Sequence, residues 1–222
     1  MSQLAYHFTG PTLRDGRPLP AIGEWLEHKG PLIPCESGLH ACLHPWDALQ
    51  YAPGVMLHLV EVEGEITPNG NPPDKLCCRR RRILASIDTT GLLRAYARWC
   101  ALQVVTRWDA PPVVVEYLRT GREDLCAAAS IFAWTRLSGS VPSFAARAAR
   151  LAARAAGTTT AGVLVLADAV ASARNAREDA HCGSWSAREA HYTSWGVQRA
   201  WEAQRDHFAG LVNAAFQIGG AK

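Results

Sequence analysis

No apolar run in this chain of 222 residues approaches the roughly 20 residues that a membrane-spanning helix needs. The best candidate, AGVLVLADAV, is too short and carries Asp168. The opening MSQLAYHFTG has neither the basic start nor the apolar middle of a secretory leader. These absences predict a chain that stays off the membrane and in the cytoplasm. Glycine-rich phosphate loops of the Rossmann and Walker types are also missing, and GTTTAG at 157–162 reads as a helix start with a threonine cap. The Gly-x-Ser-x-Gly elbow of serine hydrolases is absent, since Ser37 before Gly38 lacks the strand–turn–helix setting. A strong charge of one sign is lacking as well: the net charge is +3, too weak to announce nucleic-acid binding by itself.

Regular cysteine pairing is another absence. Seven cysteines without paired spacing point to a reducing compartment. His40-x3-His44 has the spacing of a zinc pair, but Cys35-x6-Cys42 does not, and adjacent Cys77 and Cys78 on a strand face opposite ways. His181, Cys182 and His191 are scattered. The expectation is no metal.

What is present divides into two kinds of sequence. Up to residue 90, short strands and turns alternate. LAYHFTG is strand-like and ends in Gly-Pro, and PAIGEWLEHKG reads as a helix with Trp25 and Leu26 buried and Gly30-Pro31 as its stop. VMLHLVEVEGEI alternates, with Met56, His58, Val60 and Val62 on one face. A loop TPNGNPPD follows, then a second strand, KLCCRRRRILASID, whose arginines project to both faces. His44-Pro45 opens a short helix running to Tyr51, with Asp47 in its first turn, where a carboxylate complements the helix dipole. After residue 91 alanine and tryptophan recur at helical spacing, punctuated by Gly and Pro. The fold class predicted is α+β: a small β-rich domain over 1–90 and an all-α helical bundle over 91–222, with the boundary within 88–94.

AYHFTG, GLHACLHPWDALQYA and VMLHLVEVEGEI, in that order, resemble the core of ADP-ribosyltransferases. The branch is that of diphtheria toxin-like enzymes, poly(ADP-ribose) polymerases and tRNA 2′-phosphotransferases. The resemblance covers about 85 residues. It implies an NAD-using domain, with NAD as substrate, in which His7 and His40 are the catalytic pair. His7 would bond the adenosine ribose, with Thr9 nearby; His40 would stack on nicotinamide; Gly38 and Tyr51 would complete the cofactor site. The family's third residue, often glutamate, has no clean counterpart: Asp74, Lys75 and Leu76 stand in that region. This departure leaves open mono-transfer, nucleic-acid end chemistry, or a domain without activity. The whole chain is also similar to uncharacterised phage-associated and actinobacterial proteins that join such a domain to an Ala/Trp-rich helical tail; this resemblance brings no activity with it, and phage–host conflict is the setting expected for the transfer.

Each of these residues has a plainer reading. His7 can be a strand-end histidine satisfied by backbone, Tyr51 a core residue, and His44 a helix-entry residue. Arg79, Arg80, Arg81 and Arg82 match phosphate geometry and suit a pyrophosphate or nucleic-acid contact, yet a basic run is more often a solvated edge. Two functions are therefore expected to compete. One is NAD-dependent ADP-ribosyl transfer to a host protein or nucleic acid. The other is a catalytically inactive protein that binds and inhibits a host or defence protein through its helical half.

Overall fold

The computed structural model describes residues 2–103, 105, 109–135 and 193–217. They form an antiparallel sheet followed by helices, a mixed α+β chain. The strands are β1 (Gln3–Thr9), β2 (Trp25–Glu27), β3 (Leu39–Ala41), β4 (Met56–Gly70) and β5 (Pro73–Asp88). A five-residue helix, α1 (Pro45–Leu49), sits between β3 and β4; α2 (Thr90–Leu102), α3 (Pro112–Thr120), α4 (Glu123–Thr135) and α5 (Thr193–Ala215) follow. The segments PSFAARAARLAARAAG and TAGVLVLADAVASARNAREDA, the GTTTAG helix start, and His181, Cys182 and His191 lie outside the described residues.

Two compact units divide the chain: Met1–Thr89 together with Phe208–Lys222, and Thr90–His207. The end of α5, which the linear reading gave to the helical part, thus belongs to the unit that holds the sheet.

β4 and β5 make one long hairpin. Both strands continue into the TPNGNPPD segment expected to be a loop, so only Asn71 and Pro72 remain at the turn. Proline is tolerated there because Pro68 and Pro73 stand near the strand ends, where a missing donor costs little. The expected helix around Trp25 is instead the edge strand β2, paired with β5 through Trp25↔Arg82, Leu26↔Arg81 and Glu27↔Arg80. The turn at Gly23, with φ +86°, delivers this segment to the open edge of β5. There the Arg80 and Arg82 guanidinium carbons lie 4.5 and 4.7 Å from the centre of the Trp25 ring. Ladder bonds and ring stacking outweigh a helical pattern of this length.

The sheet closes on itself. β1 pairs with β4, β4 with β5, and β5 with β3. The chain leaving β3 returns to β1, where Tyr6 and Cys42 exchange both backbone hydrogen bonds at 2.8 and 2.9 Å. The result is a short barrel-like ring, β1–β4–β5–β3. Its interior is apolar: Ala5, Ala41, Val60, Val62, Leu76, Cys78 and Ile83 are buried together, with Leu39 and Ile66 packed against them. The alternation read for β4 assigns this face, since residues two apart point the same way.

Outside the ring a second core forms on β1. Phe8, Leu57, Trp46, Phe208 and Val212 are all buried. Trp46 and Phe208 meet edge to face at 6.1 Å, and the Tyr6 hydroxyl donates to Asn213 at 3.1 Å. α1 is set by its cap: His44 stays extended, and its Nδ1 accepts the Trp46 amide at 3.2 Å, with Pro45 opening the helix. His44 is thus the helix-entry residue expected, and Asp47 lies in the first turn.

In the second unit α3 ends at Gly121, whose φ of +68° and amide bond to the Tyr117 carbonyl close the helix. The Trp99 and His207 rings stack at 4.0 Å. No helix among the described residues is long and apolar enough to cross a membrane.

Candidate functional site at the barrel mouth

At one end of the ring the interior turns polar. His7 and His58 are directly opposed across β1 and β4, and Ser86 faces His58 from β5. Continuing inward are Ala5 with Val60, and Arg81 with Val62. The polar groups therefore occupy positions of the same alternating face that elsewhere builds the apolar core.

His58 is fully used. Thr9 Oγ1 lies 2.8 Å from its Nε2 and Ser86 Oγ lies 2.7 Å from its Nδ1. A neutral imidazole has one donor and one acceptor nitrogen, so one hydroxyl donates to the ring and the other accepts from it. Burial, and then the nearby Arg81, pull the His58 pKa down to about 4, so this chain of three side chains is neutral at physiological pH. Gly54 packs on the Thr9 end: a Cβ there would stand 2.6 Å from the Thr9 carbonyl oxygen.

His7 is different. It is half-buried, and its ring makes no hydrogen bond with any described residue. Desolvation holds its pKa well below the ordinary range, aided by repulsion from Arg81, His58 and His40. His7 is thus a neutral imidazole with both nitrogens available.

The arginine run resolves into two roles. Arg82 bonds Glu61 at 2.6 Å and Arg80 bonds Glu63 at 3.1 Å, each a cross-strand pair, while Arg79 reaches Glu65 at 2.7 Å and the carbonyls of His28 and Gly30. Three arginines are committed to the hairpin and its neighbouring loop. Arg81 points inward and is 6% exposed. Its Nη1 donates to the His40 carbonyl, and no carboxylate among the described residues pairs with it. Burial draws its pKa down to about 10, so the guanidinium remains charged at neutral pH.

His40 meets this cluster through its backbone. In β3, Leu39 and Ala41 face the interior, so the His40 side chain lies on the other face with Cys77, its partner across the ladder. Its Nε2 accepts the Cys35 amide at 3.1 Å. Burial first, then Lys75, Arg81, Arg14 and His28, lower its pKa. Its carbonyl points in the same direction as that of Cys42, toward β1. Beyond the Tyr6–Cys42 bridge β1 and β3 are not paired among the described residues, and Arg81 donates from inside to the His40 carbonyl on the β3 side of this gap. The His7 and His40 rings therefore lie on opposite faces of the curved sheet, so the shared cleft that the resemblance implied for this pair is not formed by their side chains; only the His40 carbonyl reaches the inner face, through Arg81.

Gly38, at φ +125°, lets the chain pass over Cys77, whose sulfur would lie 2.2 Å from any Cβ placed there. Tyr51 stands apart on the hairpin rim: its hydroxyl donates to Asp74 at 2.6 Å, Gln50 adds a bond to the same carboxylate oxygen at 2.7 Å, and Lys75 lies 4.2 Å above its ring. Burial, then Asp74, holds the Tyr51 hydroxyl above its ordinary pKa. Lys75 also donates to Cys35 at 3.0 Å. Among the described residues no group of three or more His, Cys, Asp or Glu is arranged to hold a metal ion.

Residue-by-residue reading passed over His58, Ser86 and the singular position of Arg81. The available signal was a polar side chain in phase with an apolar face: His58 alternates with Val60 and Val62. A model of a domain of unknown function, DUF7666, matches residues 3–95, which takes in the whole barrel and its mouth. No curated protein and no solved structure matches the chain.

Proposed function

We propose that the barrel mouth binds NAD and that the chain transfers ADP-ribose from it to a protein or nucleic-acid target. The observation that carries this reading is the unpartnered, neutral His7 ring beside Thr9 on the inner face of the barrel. A half-buried imidazole with free donor and acceptor nitrogens suits a ribose diol, which offers both. NAD, when bound, supplies a glycosidic bond that breaks toward an oxocarbenium-like cation.

The chain's own contribution is positioning and electrostatics. Thr9, fixed by His58 and Ser86, shapes the ribose edge of the site. The apolar interior behind His7 keeps water from the reacting centre. With His7 and His40 neutral at physiological pH, neither ring repels a developing cation. The resemblance to ADP-ribosyltransferases in the order AYHFTG, GLHAC, VEVEG supports the same assignment.

The direct test is NAD binding and nicotinamide release by the purified full chain, supplied with host lysate or RNA as acceptor. His7→Ala is expected to lower release by about 100-fold or more, the loss typical of a positioning group, and His40→Ala by less. Wild-type protein that neither binds nor consumes NAD with any acceptor overturns the reading.

A further inference from the structure

The unpaired charge of Arg81 points to a ligand of its own, one that would compete with the ribose of NAD for the His7 ring. A guanidinium removed from water without a counter-ion is strongly disfavoured, and proteins pair such groups with an acid. In this chain the neighbouring arginines each have a glutamate, while Arg81, the most buried of the four, has a single backbone carbonyl. Its remaining N–H groups have no acceptor among the described residues, and none of them is a fully buried unsatisfied atom, so they face solvent rather than the apolar interior.

We propose that Arg81, with the free ring of His7 beside it, is a binding site for a monoanionic carboxylate that enters through the gap between β1 and β3. The charge balance selects the class. The titratable groups that act on this point are His7, His58, His40 and Cys78. The three histidines are all shifted below their ordinary value, and burial pushes the Cys78 thiol up to about 12, so none of them carries a charge at neutral pH. One positive charge at the edge of an apolar interior balances one negative charge. A phosphomonoester or a pyrophosphate would leave excess negative charge among Val60, Val62 and Ile83. The shape agrees: a guanidinium edge offers two parallel N–H groups, the fork that a carboxylate accepts, and His7 adds one further donor.

The test uses the full chain, with acetate as the probe and phosphate and chloride as comparisons at equal ionic strength and neutral pH. Acetate is expected to raise the thermal midpoint by several degrees at saturation, and to shift one arginine Nε–H resonance in a nitrogen-15 spectrum of the wild-type protein. N-acetylglycine in place of acetate distinguishes a free small acid from a peptide terminus, according to which binds more tightly. Arg81→Met, which keeps the volume and removes the charge, is expected to lose the acetate response while melting no lower than wild type without ligand. His7→Ala should weaken the acetate response several-fold and leave the resonance responsive. An effect of phosphate or chloride equal to that of acetate overturns the assignment. So does an unmoved arginine spectrum, or an Arg81→Met protein that melts well below wild type while acetate does nothing to either. That last result would make Arg81 a structural cap on the His40 carbonyl. NAD turnover plays no part in these readings, so their failure and that of the transferase proposal can be told apart.

Discussion

His58 shows how much one side chain can couple this barrel to pH. In the folded chain it stays neutral down to about pH 4, against an ordinary value of 6.5. Between those limits the unfolded chain binds the proton more readily, so stability is fully present above pH 6.5 and is lost as the pH falls toward 4. The gap corresponds to about 3 kcal/mol. His7 moves in the same direction and adds to the loss. Urea denaturation at pH 7.5 and 4.5 is expected to show this drop. His58→Gln, which can still bond Thr9 and Ser86, is expected to flatten the profile; an unchanged slope in that variant would place the acid sensitivity elsewhere.

At the scale of the element, the β4–β5 hairpin explains why four arginines can follow one another in a strand. Alternation sends Arg80 and Arg82 outward, to the Glu63 and Glu61 that alternate on the facing strand. These half-exposed pairs contribute only about 0–1 kcal/mol each, so their effect is more on register than on stability. Gly38 carries a larger consequence. Gly38→Ala must adopt a φ of +125° and meet the Cys77 sulfur, and roughly 2–4 kcal/mol of destabilisation is expected. Adding Cys77→Ala should recover the clash but not the backbone strain, so denaturation midpoints should rank wild type, double variant, single variant.

Across the whole molecule, the barrel depends on residues distant in sequence. Phe208 and Asn213 of α5 complete the outer core over Trp46 and Tyr6. Phe208→Ala is expected to cost about 3–5 kcal/mol and to raise hydrogen exchange at the amides of β1. A variant that leaves β1 exchange unchanged would mean that the outer core is dispensable. The match to a domain of unknown function covers residues 3–95, so it includes the barrel but not this packing partner.

Much of this was legible one residue at a time. The phase of β4 and the His44 cap with Pro45 behind it follow from local rules: alternation and helix entry. The helix expected at Trp25 failed because a segment of ambiguous period takes its conformation from its neighbour, and the neighbour was an open strand edge. The loop at TPNGNPPD shrank for the same reason, as each strand held the other in register to the turn.

The sequence by itself determined that His7, Thr9, His40 and the arginines exist at strand ends and on strands, because periodicity and turn residues act over a few positions. Only the tertiary structure decided which of them share a space. Closure of the ring between Tyr6 and Cys42 turned one face of β1, β4 and β5 into an interior. It separated Arg81 from its three paired neighbours and brought it beside His7 and under the His40 carbonyl. The physical reason is that burial and charge pairing are properties of the closed sheet: four identical side chains in a row acquire different energies once one of them is inside.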